Sequence, residues 1–227
     1  MKSVKFYLPV VWFLSLFLAS CAGFVGSSNY LHIGQVGVGP AQTYVYECSD
    51  EYTFTVNIGD NQAQLFLPVK NITLAHAFSI PGAKFNTGET TLWVKDDIAR
   101  LEIDSVMHEN CYNNPAKAVW VHAKFNGVDF RALGNQPSWI LEIVKGENII
   151  FADYNHKISR YMFDSPEPEI DSSAVQTVFK VNNKEHALLV IITGTPCQDS
   201  VSGELFYFNV TVRLDDKLFK GCGKSLL

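Results

Sequence analysis

The sequence predicts an all-β protein: a small antiparallel β-barrel followed by a second, mainly β domain. Three observations predict it. Apolar and polar residues alternate at a period of two from Tyr44 onward, and clusters of Gly, Pro and Asn interrupt the alternation every 8 to 12 residues or so. No apolar stripe at helical spacing persists for three turns.

The chain opens on a leader. Lys2 and Lys5 precede the apolar run Val10 to Leu18, and Ala19 and Ser20 lead into Cys21. The run is shorter than the roughly 20 apolar residues that cross a bilayer, so residues 1–20 read as a secretory signal. Leu18-Ala19-Ser20-Cys21 resembles a bacterial lipobox. That resemblance implies cleavage before Cys21 and acylation of its thiol, and Ala22 fits sorting to the outer membrane, facing the periplasm. Several acyl chains anchor firmly, since each buried CH₂ contributes about 0.8 kcal/mol. Gly- and Ser-rich residues 21–41 then read as a flexible tether.

Residues 42–114 carry the first module. Phe54, Val56 and Ile58 alternate with Thr53, Thr55 and Asn57; Leu65 and Leu67 straddle Phe66; Leu101 and Ile103 flank Glu102. Gly59-Asp60-Asn61, Pro81-Gly82 and Thr87-Gly88 are the turns. Asn113-Asn114-Pro115 breaks the pattern and marks a boundary. Residues 115–227 form the second module, opening on the alternation Val119, Val121, Ala123, Phe125, which predicts a strand ending in an Asn126-Gly127 hairpin turn. Trp139 to Ile143, Ala187 to Thr193 and Phe208 to Leu214 add strands, whereas the acidic, proline-bearing run Ser165 to Ser173 reads as an exposed loop.

Composition sets further limits. Apolar residues make up 47% and aromatics 13% of the chain, ample for packed cores. The net charge is −5, and losing the leader removes two lysines and no acid. An acidic body disfavours nucleic acid and anionic lipid and favours a basic partner. With Cys21 assigned to lipid, Cys48, Cys111, Cys197 and Cys222 remain, and an oxidising compartment favours two bridges. Of three pairings, Cys48 with Cys111 and Cys197 with Cys222 keeps each bridge within one module. The cysteines and the six histidines fall at no metal-ligand spacing, so neither metal nor cofactor is expected.

No nucleophile elbow, HExxH or phosphate-cradling loop occurs, and Glu167 and Glu169 lie in a proline-bearing acidic run with no apolar wall around them, so the chain reads as a non-enzyme. A resemblance suggests what it does instead. Tyr46-Glu47-Cys48, Tyr52-Thr53-Phe54, Ala63 to Pro68, Pro81-Gly82-Ala83-Lys84-Phe85, Leu92-Trp93-Val94-Lys95, Ala99-Arg100-Leu101 and Cys111 follow one another as in a known family. The stretch from Tyr44 to Cys111 resembles the membrane-bound inhibitors of C-type lysozyme, small β-barrels whose own bridge joins their first and last cysteines. The resemblance implies C-type lysozyme as protein partner, with a loop and Lys95 entering its cleft, where two carboxylates flank the scissile bond. Ser79, Pro81, Gly82, Ala83, Lys84 and Phe85 would make up that loop and its flank. Pro81 stands where the family carries serine and offers neither hydroxyl nor N–H, which leaves Ser79 and Lys95 as donors.

The second module resembles a family of uncharacterised bacterial lipoprotein domains, often joined to such an inhibitor-like domain. Gly134-Asn135-Gln136-Pro137-Ser138-Trp139, Leu141-Glu142-Ile143, Cys197 to Gly203 and Gly221-Cys222 carry that likeness. It brings no activity with it. The rival to lysozyme inhibition is a structural, assembly or ligand-binding role at the envelope.

Overall fold

The computed structural model describes residues 41–155 and 157–227. The leader over residues 1–20, the lipidation at Cys21 and all but the last residue of the tether lie outside them. Among the described residues no helix is long and apolar enough to cross a membrane.

Alternation becomes strand throughout the first module. The strands β1 (Gln42–Glu47), β2 (Thr53–Ile58), β3 (Gln62–Phe66), β4 (Asn71–Ala77), β5 (Ala83–Thr87), β6 (Thr90–Lys95), β7 (Ile98–Ile103) and β8 (Val106–Asn113) close into an antiparallel barrel. Each hydrogen-bonds to its neighbours in sequence, and β8 returns to β1. Every second residue points inward, so Phe54, Val56, Leu65, Leu74, Phe85, Leu92 and Leu101 fill the interior with less than 3% exposure. Burying such a side chain contributes about 1.5–3 kcal/mol, enough in sum to hold the barrel's order.

Closure rests on a narrow seam. β1 and β2 pair over six residues, but the ladder of β1 with β8 holds just two pairs, Tyr46↔Asn113 and Glu47↔Tyr112, extended by the Val45 N–H to the Asn113 side chain and the Asn114 N–H to the Val45 carbonyl. The bridge between Cys48, one residue beyond β1, and Cys111 on β8 staples that seam covalently.

The expected strand at Val119 to Phe125 is a helix. α1 (Pro115–Phe125) starts at Asn114, whose side chain accepts from the Lys117 N–H, with proline at the first helical position. Asn126-Gly127 is its C-terminal cap and not a hairpin turn: the Asn126 N–H reaches back to the Ala123 and His122 carbonyls. The inward residues are Ala118, Trp120 and Ala123, so the apolar face is small and short, while Val119 and Phe125 stay well exposed. α1 packs on the outer face of β1, which explains why adjacent Val45 and Tyr46 are both buried. Phe125 packs against Phe66 with tilted rings 4.3 Å apart, His122 meets Thr43, and Lys117 pairs with Glu47.

The second module is a curled nine-stranded antiparallel sheet. Its strands are β9 (Phe130–Asn135), β10 (Ser138–Val144), β11 (Asn148–Asp153), β12 (Ser159–Asp164), β13 (Glu169–Asp171), β14 (Gln176–Asn182), β15 (Ala187–Thr193), β18 (Phe208–Leu214) and β19 (Lys217–Ser225). They run in the order β12-β11-β10-β9-β19-β18-β15-β14-β13. Between β15 and β18, β16 (Cys197–Gln198) and β17 (Leu205–Phe206) form a separate two-stranded ribbon. Trp139, Leu141, Phe151, Val190, Val212 and Phe219 make the concave core. Part of the expected loop Ser165 to Ser173 is the short, exposed strand β13, which pairs with β14. The second bridge, Cys197–Cys222, ties the ribbon to β19.

Candidate functional site

The residues singled out around Lys95 converge on one end of the barrel. Lys95 is the last residue of β6, and the Asp96-Asp97 turn, with Asp96 at φ +54°, reverses the chain into β7 so that Lys95 pairs with Ile98. On its other side lies β5, where Ala83 pairs with Val94. The register therefore sets Gly82 beside Lys95. Gly82 adopts φ +88°, and an added Cβ would fall 2.5 Å from the Val94 carbonyl oxygen and 3.2 Å from the Lys95 Cβ. Glycine is required there both by the left-handed backbone and by the closeness of β6.

The loop between β4 and β5 is pinned at the same place. The Trp93 indole N–H donates to the Pro81 carbonyl oxygen at 3.1 Å. Phe78 and Ile80 stand out from the loop with 86% and 80% exposure, large apolar surfaces that the barrel itself does not use. Lys95 is exposed, and among the described residues no carboxylate lies within ion-pair distance of its ammonium.

The expected set divides into two groups. Pro81, Gly82 and Lys95 share the exposed edge, with Ser79 half-buried beside them. Ala83 and Phe85 point into the barrel, at 4% and 0% exposure, so their side chains belong to the core. Phe85 has His76 against its ring edge at 5.3 Å. Lys84 faces outward between these two and lies directly opposite Trp93.

Sequence reasoning assigns no role to Trp93 or Arg100, yet Lys84, Trp93 and Arg100 form one cross-strand row over β5, β6 and β7. Alternation with buried Leu92, Val94, Ala99 and Leu101 made their outward direction readable; the register that aligns them was not. Together with Ser79, Thr91, Glu102 and Met107 they line a groove of about 410 Å³.

The signature residues of the second module also converge. Asp199, buried one residue past β16, accepts from the Ser202 N–H and O–H, both at 2.7 Å, from the Val201 N–H at 3.3 Å, and from the Asn135 amide. Burial pulls its carboxyl up, but these bonds outweigh it and hold the pKa below the usual value. Trp139 is fully buried and donates to the Lys220 carbonyl oxygen at 3.3 Å. These residues build the ribbon and its support. Nearby, Arg131 is buried against Glu142 and under Trp120, whose ring lies 5.5 Å from the guanidinium carbon. No family model, curated protein or solved structure matches the chain.

Proposed function

We propose that the chain is an envelope lipoprotein, anchored through Cys21 to the outer membrane and facing the periplasm, that binds and inhibits C-type lysozyme through the Lys95 edge. The observation that carries this reading is an exposed ammonium, with no carboxylate in ion-pair distance among the described residues, beside a pinned loop with two exposed apolar side chains. A lysozyme cleft offers two carboxylates in a groove. Lys95 supplies the cation for them, and Phe78 and Ile80 supply apolar area around it. A charge-assisted bond in a partly dry cleft contributes about 1.5–3 kcal/mol, so one lysine can dominate a small contact. The sequence resemblance of Tyr44 to Cys111 points to the same partner. The Pro81 carbonyl, already bonded to Trp93, is left to shape the loop.

The test is inhibition of C-type lysozyme by the oxidised protein from residue 22 onward. Lys95→Ala should weaken inhibition about tenfold or more. Its melting temperature should stay that of the wild type, since an exposed lysine away from any partner contributes little to folding. Absence of inhibition by the wild type well above micromolar concentration would overturn the reading in favour of an assembly role. The anchor is checked separately, by incorporation of labelled palmitate that Cys21→Ser abolishes.

A further inference from the structure

The groove beside the loop shares Ser79 and Lys84 with the expected lysozyme-binding set, but Thr91, Trp93, Arg100, Glu102 and Met107 have no part in that reading. Its lining carries two cations, Lys84 and Arg100, and one carboxylate, Glu102, on a chain whose net charge is −5. Between the cations lies the half-buried indole of Trp93, fixed by its bond to Pro81 and by the close pass of Gly82, whose added Cβ would sit 3.4 Å from the indole Cε2. Ser79 and Thr91 add hydroxyls. Arg100 is held over β8, its Nε 3.1 Å from the Met107 sulfur and its Nη1 3.5 Å from Glu109, and 55% of its side chain stays exposed. At about 410 Å³ the groove lies within the ~300–1,000 Å³ range of small-ligand sites.

We propose that this groove binds an acidic saccharide. A pyranose ring offers a flat C–H face to an aromatic platform, hydroxyls that donate to a carboxylate and pair with serine and threonine, and, when it bears a carboxyl group, an anion for lysine and arginine. Trp93, then Glu102 with Ser79 and Thr91, then Lys84 with Arg100 answer these three features in turn. A neutral saccharide brings no anion to either cation, and Arg100 keeps only its 3.5 Å contact with Glu109. An acidic peptide backbone offers no row of hydroxyls to Glu102, Ser79 and Thr91, and leaves the platform without a sugar face.

Binding is tested by calorimetry on the full-length chain in non-ionic detergent. The probes are tetragalacturonate, the neutral cellotetraose, and tetraglutamate. Tetragalacturonate should bind, and the other two should bind at least about tenfold more weakly. Trp93→Ala and Arg100→Gln should each weaken tetragalacturonate by about tenfold. Arg100→Gln guards against misfolding, because that side chain is largely exposed; its melting curve should match the wild type. Absence of tetragalacturonate binding at millimolar concentration would overturn the proposal. So would equal binding of either other probe, or affinity unchanged by Arg100→Gln. Lys95 does not line the groove, so Lys95→Ala should leave saccharide binding intact whether or not it affects lysozyme.

Discussion

The barrel and the curled sheet solve the same problem in different ways. In the barrel every strand pairs with its sequence neighbours, so each hairpin registers the next, and one short seam closes the whole. In the sheet the strands of the two halves meet where β9 pairs with β19, about ninety residues apart along the chain. The sheet never closes, and leaves β12 and β13 as edges. Each module puts its disulfide where pairing alone is least sufficient: Cys48–Cys111 across the seam, Cys197–Cys222 between the two-residue ribbon and β19. The barrel therefore depends on one long-range closure, and the sheet on the precise fit of strands that arrive from far apart.

The largest expected effect breaks the covalent half of that comparison. The bridges span 63 and 25 residues of sequence, for which loop-closure entropy gives about 4 and about 3.5 kcal/mol. Paired Cys48→Ser/Cys111→Ser should therefore lose more stability in guanidinium unfolding than Cys197→Ser/Cys222→Ser. The reverse order would mean that the seam holds without its staple.

A smaller effect tests the fit between β9 and β19. Gly221 lies so close to β9 that an added Cβ would sit 2.0 Å from the Leu133 carbonyl oxygen and 2.8 Å from Trp139 Cζ2. Gly221→Ala must push the strands apart or move the indole, at about 2–3 kcal/mol. Near-ultraviolet circular dichroism from Trp139 should change, while inhibition or binding at the barrel stays as in the wild type. A barrel that loses function with Gly221→Ala would show that the two modules depend on each other.

These two modules were not equally legible. Strands such as Thr53–Ile58 and Phe208–Leu214 follow from alternation because one face of each is buried and the other is not. α1 departs from the strand that the sequence predicts because Val119, Val121, Ala123 and Phe125 imitate a strand's alternation. The helix turns on Trp120 and two alanines, too little apolar surface to mark a helical stripe. Asn114 and Pro115, a capping residue followed by proline at the first helical position, were the available signal. At the candidate site, Lys95 and Gly82 could be named from sequence, but their contact depends on the β5–β6 register. The row through Trp93 likewise needs the pairing of three strands. Ala83 and Phe85 could have been separated from the loop, since they share the parity of buried Leu92 and Val94 once the strands are paired.

The smallest expected effect concerns charge at the sheet's ribbon. Asp199 accepts four hydrogen bonds, from Ser202, Val201 and Asn135, and its pKa is lowered in the folded protein despite burial. In the unfolded chain it titrates near the ordinary value of about 3.9. Because the folded value lies below the unfolded one, the carboxylate's contribution is fully present above about pH 4 and disappears as pH falls through the folded value. Asp199→Asn retains the shape but loses the charge and part of its acceptor capacity, and should cost about 1–2 kcal/mol near neutral pH. The difference between the variant and the wild type should stay constant from neutral pH down to about pH 5, then shrink as acid neutralises the wild-type carboxylate. A difference that persists unchanged in acid would show that the charge of Asp199 contributes nothing beyond its hydrogen-bond geometry. The ribbon would then be held by the Cys197–Cys222 bridge, as the barrel seam is held by its own.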